Sequence, residues 1–155
     1  MRSGIRKWAR LLGLLAFAVM TLTACATGEE LEKEYTAKAK AGDVEAQYQL
    51  GLMYFEGNGV DQSEKKGEFW IRKAAEQGHP RAQNDIGTMY ANGVVVRKNM
   101  VEAIKWLTLS AKQGFGPGIR YMKDLEETLP REQIEKAKAL AEAWKPTPPA
   151  SSKGV

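Results

Sequence analysis

The sequence predicts an all-α fold, a stack of helical hairpins in a single domain, and three observations carry that prediction. A unit of 36 residues runs twice in register through the middle of the chain. Within each copy the apolar residues recur at helical spacing rather than in strand-like alternation. Glycine, proline and small capping residues fall at equivalent places in both copies, where helices begin and end. The register is defined by Ala46-Gln47 with Ala82-Gln83, Gly51 with Gly87, Met53-Tyr54 with Met89-Tyr90, Gly57 with Gly93, Trp70 with Trp106, and Gln77-Gly78 with Gln113-Gly114. A fixed period of this size marks supersecondary units that bury their apolar faces against one another.

Taken in order, the chain opens on Arg2, Arg6, Lys7 and Arg10, followed by an uncharged apolar run from Leu11 to Leu22. This reads as a secretory signal, since the run is well short of the ~20 residues that a spanning helix needs. Leu22-Thr23-Ala24-Cys25 comes next and resembles the bacterial lipobox, in which the cysteine after the cleavage point receives the lipid. That resemblance implies a signal over residues 1–24 and a lipidated Cys25 at the head of a short linker, residues 25–29. Cys25 is the only cysteine in the sequence, so no disulfide framework is available. Ala26, rather than aspartate, resembles the lipoproteins forwarded to the outer membrane.

Removing the signal changes the charge balance. The whole sequence carries 23 basic and 19 acidic residues, but the four basic residues before Cys25 leave with the signal, and 19 of each remain. A near-neutral mature chain with no basic block excludes the electrostatic footprint of nucleic-acid binding.

The repeat domain is expected over residues 30–145. Residues 30–42 read as the second helix of a half-repeat, because Gly42 lies one period before Gly78. In the repeat over 43–78, Asp43 is placed to cap a first helix with the core stripe Ala46, Leu50, Met53 and Tyr54. In the repeat over 79–114, His79-Pro80 opens the equivalent helix with proline at its first position, and Ala82, Ile86, Met89 and Tyr90 form the stripe. Gly51 and Gly87 recur inside these stripes, where glycine costs ~1 kcal/mol relative to alanine, so a second helix is expected to pass close by. After turns at Gly57-Asn58-Gly59 and Gly93-Val94-Val95, Ser63 and Asn99 cap the second helices, with Glu102 spaced for a capping box. Those helices carry Trp70, Ile71, Ala74 and Ala75, matched by Trp106, Leu107, Ser110 and Ala111, and end at Gly78 and Gly114. Residues 115–145 read as a degenerate third hairpin, and 146–155 as a disordered tail rich in proline and serine.

The segments from Ala46 to Tyr54, Gly57 to Val60 and Trp70 to Gly78, together with the closing stretch from Pro130 to Pro146, resemble the Sel-1-like repeat, a relative of the tetratricopeptide repeat. The sequence departs from that pattern at Val95, where a second turn glycine is usual, at Gly67, where alanine is usual, and at Leu129, where a threonine cap is usual. The resemblance implies a right-handed α/α solenoid that binds a protein or peptide partner without catalysis, cofactor or metal. Taken with the lipobox at Cys25 and with Ala26, it implies a lipid-anchored place in the bacterial cell envelope, at the outer membrane facing the periplasm. The partner is not identified by the sequence. Two alternatives share these features: an immunity protein against a periplasm-acting toxin, and an envelope enzyme related to penicillin-binding or β-lactam-hydrolysing proteins.

The residues themselves give little chemistry for an enzyme. His79 is the only histidine, it sits at a helix start, and no nucleophile, paired carboxylate or phosphate loop accompanies it. Candidate partner contacts are of two kinds. Tyr48, Leu52 and Phe55 form an i, i+4, i+7 stripe that serves either as a groove or as the face packed on the preceding capping helix. Phe69 and Leu109 stand where the other copy has lysine, and Phe69 is expected to point away from the Trp70, Ile71 and Ala74 face, an outward anchor in a basic strip.

Overall fold

The structure, a computed structural model, describes residues 28–148. The signal, Cys25 and residues 149–155 of the expected tail lie outside the described residues. Among the described residues seven helices follow one another, each of 13 residues: α1 Gly28–Lys40, α2 Val44–Glu56, α3 Glu64–Glu76, α4 Pro80–Asn92, α5 Met100–Lys112, α6 Gly116–Thr128 and α7 Arg131–Ala143. No strand occurs among the described residues. The all-α solenoid read from the repeat is the fold observed.

Helix starts follow the expected capping chemistry. Asp43 Oδ1 accepts from Ala46 N at 2.8 Å, and His79 Nδ1 accepts from Ala82 N at 3.1 Å in the equivalent place. Asn99 Oδ1 accepts from Val101 N and Glu102 N at 3.1 and 3.2 Å. The capping box anticipated for Glu102 does not close. Asn99 N already donates to Tyr90 O at 2.9 Å, so Glu102 turns to Lys105 instead, also at 2.9 Å. Gly57 and Gly93 end α2 and α4 in the left-handed region, each donating its N–H to a methionine carbonyl one turn back, Met53 or Met89. Val95 occupies the place of Gly59 with φ of 64°, a conformation that strains a β-branched side chain.

The recurring glycines mark close helix crossings, as their positions suggested. A Cβ on Gly51 would lie 2.6 Å from Ile71 Cγ1 and 2.9 Å from Ile71 N, and one on Gly87 would lie 2.8 Å from Leu107 Cγ. Gly67 has its own cause, because a Cβ there would meet Gly51 O and Phe55 Cβ, both at 2.9 Å. The second copy has Ala91 in place of Phe55 and Ala103 in place of Gly67, so a small residue on one helix is traded for a small residue on the other.

Three apolar clusters run along the stack. Ala39, Ala46, Leu50 and Tyr54 join α1 to α2, with Tyr35, Val60 and Trp70 packed against them. The central cluster includes Tyr48, Ile71, Ala75, Ile86, Trp106 and Leu109. Ile104, Leu107, Leu125 and Ala137 form the third, joining α5 to α6 and α7. Between repeats runs a polar ladder of glutamines. Gln47 Nε2 donates to Ala39 O at 3.0 Å and Gln83 Nε2 to Ala75 O at 3.2 Å, so each buried amide holds the end of the preceding second helix. Gln77 Nε2 and Gln113 Nε2 donate in turn to Gln47 Oε1 at 2.6 Å and Gln83 Oε1 at 2.8 Å. A buried carbonyl left without a donor costs free energy, which explains why Ala-Gln and Gln-Gly are the dipeptides that repeat.

The chain does not lose its order at residue 146 as the composition suggested. Trp144 packs edge-on to Trp106, with ring centroids 6.3 Å apart, and Thr147 N donates to Glu76 O at 2.7 Å. Pro146 to Pro148 therefore lie back along the end of α3.

Candidate functional site

A groove of about 250 Å³ opens between α2 and α4, floored by Ile71 of α3. Leu52 and Phe55 form one wall, while Thr88, Met89 and Asn92 of α4 form the other, with Val94 at the end. Helical spacing produces both walls: Leu52 and Phe55 are three apart on α2, and Asp85, Thr88 and Asn92 lie at i, i+3 and i+7 on α4. Val94 is carried there by the turn that Gly93 opens, and it is 42% exposed.

Tyr48, one turn before Leu52 on α2, is joined to the groove through Asp85. Its ring stacks on His79, with centroids 4.5 Å apart, and its hydroxyl donates to Asp85 Oδ2 at 3.0 Å. Burial, with the Asp85 carboxylate next, pushes the Tyr48 phenol well above its ordinary range. Burial also pushes the Asp85 carboxyl upward, against hydrogen bonds from Asn84 and Tyr48 that pull it down. His79 Nδ1 accepts a backbone proton, which places the imidazole proton on Nε2, where it donates to Glu45 Oε2 at 3.0 Å. This histidine caps a helix, stacks on a core tyrosine and bonds a surface carboxylate.

The stripe Tyr48, Leu52 and Phe55 is thus brought together, but its neighbour is the following repeat. Packing on the preceding capping helix was one of the two readings of that stripe, and it is not what occurs. Helix α1 is engaged instead by Ala46, Leu50 and Tyr54, and Tyr54 donates its hydroxyl to Glu32. That bond holds the Tyr54 phenol up at about 12.

The other two candidates separate. Phe69 is 48% exposed and stands edge-on to Trp70 at 5.1 Å, with Lys73 Nζ 5.8 Å from its ring. It borders a second cleft of about 480 Å³, made with Trp70, Gln77, Lys40 and the chain end at Thr147 and Pro148. Leu109 is only 6% exposed and belongs to the central cluster with Trp106 and Ala141. Its expected role as a partner contact is corrected by α7, which packs on α5 and covers the face that α3 leaves open at Lys73. Asp85, Thr88, Asn92 and Val94 were not among the expected contacts, because they become neighbours of Leu52 and Phe55 only when the second repeat stacks on the first. The signal was a difference, Gln49 in the first copy against Asp85 in the second. Among the described residues no group of three or more His, Cys, Asp or Glu side chains is placed to hold a metal ion.

A helical hairpin stack with a side groove defines the chain as an α/α repeat protein. The Sel1 repeat matches residues 44–79 and 80–115, and the chain belongs to the Sel1 repeat family. Among solved structures it is similar to a Sel1 repeat protein from Oxalobacter formigenes, with 31% identity and a TM-score of 0.59 over 72% of this chain and 87% of that one. It is also similar to a protective antigen present in uropathogenic Escherichia coli strains that displays an SLR fold, with 26% identity and a TM-score of 0.70. That likeness covers 81% of this chain but 28% of the antigen, so the chain spans under a third of that relative's length. No curated protein matches the chain.

Proposed function

We propose that this protein is a non-enzymatic interaction scaffold of the bacterial cell envelope, lipid-anchored through Cys25 at the outer membrane and facing the periplasm, with a partner protein seated between α2 and α4. Sel1 repeats generally mediate protein–protein interaction. The observation that carries the assignment of the face is the groove itself, with an apolar wall and floor of Leu52, Phe55 and Ile71, and Leu52 and Phe55 only partly covered by the fold. Apolar surface left in a concavity and rimmed by polar groups such as Thr88 and Asn92 is the usual form of a partner site. The anchor rests on the lipobox at Cys25 and on the absence of any other cysteine. More than one acyl chain, at ~0.8 kcal/mol per buried methylene, holds a protein on a membrane durably.

Two substitutions test the two halves of this reading. Cys25→Ser is expected to move the protein from the membrane fraction to the soluble fraction, and unchanged membrane retention contradicts the anchor. Thr88→Lys places an ammonium one turn from Asp85 and fills the groove. It is expected to leave the thermal melt in place while abolishing affinity capture of the partner from native membranes; undiminished capture assigns the groove to internal packing.

A further inference from the structure

The groove contains a carboxylate, Asp85, that none of the ion pairs among the described residues engages. Asp85 Oδ2 accepts from the Tyr48 hydroxyl at 3.0 Å, and Oδ1 accepts from Asn84 Nδ2 at 3.2 Å. Each carboxylate oxygen has room for a further donor. Nine ion pairs join side chains among the described residues, and none includes Asp85. The other groove residues are Leu52, Phe55, Ile71, Met89 and Val94 with the neutral Thr88 and Asn92, and none carries a positive charge. His79 and Arg81 act on Asp85 electrostatically but form no ion pair with it: His79 is bonded to Glu45 and the α4 backbone, and Arg81, one turn before Asp85, is exposed. Burial raises the affinity of Asp85 for its proton and outweighs the hydrogen bonds from Asn84 and Tyr48 and the pull of His79 and Arg81.

The first copy shows what the unmodified position does. Gln49 stands there, its amide donating to Glu45 at 2.7 Å on the open surface. An acid at this position in the second copy, held by a hydrogen bond from Tyr48, puts a carboxylate among the apolar side chains and the two neutral polar residues, Thr88 and Asn92, of the groove. Buried charge of this kind is costly until an opposite charge joins it with good geometry. We infer that the α2–α4 groove receives a segment of a partner protein in which an arginine or lysine is flanked by apolar residues. The cationic head meets Asp85, and the flanking side chains lie on Leu52 and Phe55. This rests on the reading of the groove as the partner site, and the attraction is charge complementarity together with apolar burial.

The probe is a pair of short peptides, acetyl-Leu-Arg-Phe-amide and the same peptide with citrulline, which keeps the shape of arginine without its charge. Binding to the full chain is followed by the amide resonances of Asp85, Thr88 and Asn92. The arginine peptide is expected to bind at these residues about 10-fold or more tightly than the citrulline peptide, as a charge-assisted hydrogen bond provides. Asp85→Asn keeps an acceptor for Tyr48 and is expected to bring the two peptides to equal affinity. Equal affinity of both peptides for the unaltered protein, with shifts still confined to the groove, overturns the cation inference and leaves the groove as an apolar partner site. Failure of both peptides to perturb groove resonances contradicts the groove reading as well.

Discussion

Trp106→Ala is expected to destabilise the protein by about 3 to 5 kcal/mol, whereas the same change at its repeat counterpart, Trp70→Ala, is expected to cost about 1 to 3 kcal/mol. The two tryptophans hold the same place in the 36-residue unit but have different neighbours. Trp106 is 4% exposed, sits in the central cluster and meets Trp144 edge-on. Trp70 is half-buried, packed on the α1–α2 cluster with one side open toward Phe69 and the second cleft. Truncating Trp106 therefore opens a cavity walled by α3, α5 and the closing helix, while truncating Trp70 removes surface that water already reaches in part. The indole N–H of Trp106 is buried and has no hydrogen-bond partner among the described residues, so Trp106→Phe is expected to cost under about 1.5 kcal/mol. Denaturant melts of the three variants check the order, and equal losses at Trp70 and Trp106 contradict the closing role given to α7 and Trp144.

Gly51→Ala is expected to reverse the usual sign of a glycine-to-alanine change in a helix. On an exposed helix alanine is favoured by ~1 kcal/mol, because it loses less backbone freedom on folding. At Gly51 the added methyl meets the α3 backbone at Ile71 N, 2.9 Å away, and Gly67 O at 3.0 Å, so no side-chain rotation relieves it. The two helices must part, and the expected loss is about 1 to 3 kcal/mol. Gly114→Ala supplies a comparison of a different kind. No atom lies within 4 Å of its added Cβ, but its φ of 80° penalises any side chain, so its cost is conformational rather than steric. A stabilised Gly51→Ala protein, read from a raised denaturation midpoint, contradicts the helix crossing described above.

Much of the fold was legible because the repeat states each helix twice. Asp43 and His79 cap equivalent helices by different atoms, and the position predicted the role although the residue types differ. Gly51 and Gly87 announced a close crossing because nothing else justifies glycine in a helix interior. The glutamines were legible as a pattern but not as a mechanism, since their carbonyl partners, Ala39 and Ala75, lie on the preceding helix and no local spacing reveals them.

The candidate surface was read less well, for a physical reason. A helical wheel gives the direction of a side chain from its own axis but not which neighbour fills that direction. Leu109 holds the place of the exposed Lys73 in the first copy and is nevertheless covered, because α7 packs on α5 there. Tyr48, Leu52 and Phe55 face the next repeat rather than the previous one, which only the stacking of hairpins decides. Pro146 to Pro148 lack apolar periodicity and would be solvated alone, yet Trp144 and a single backbone bond to Glu76 lay them on α3.

The claim that a partner lies between α2 and α4 is tested most directly by placing a photoreactive phenylalanine analogue at Asn92, an exposed groove residue, and irradiating cells with the protein in its native membrane. The account predicts a discrete protein adduct from Asn92 that disappears when Thr88→Lys is added, with the analogue at Phe69 giving none of that species. An adduct formed from Phe69 and not from Asn92, or one from Asn92 that survives Thr88→Lys, contradicts it.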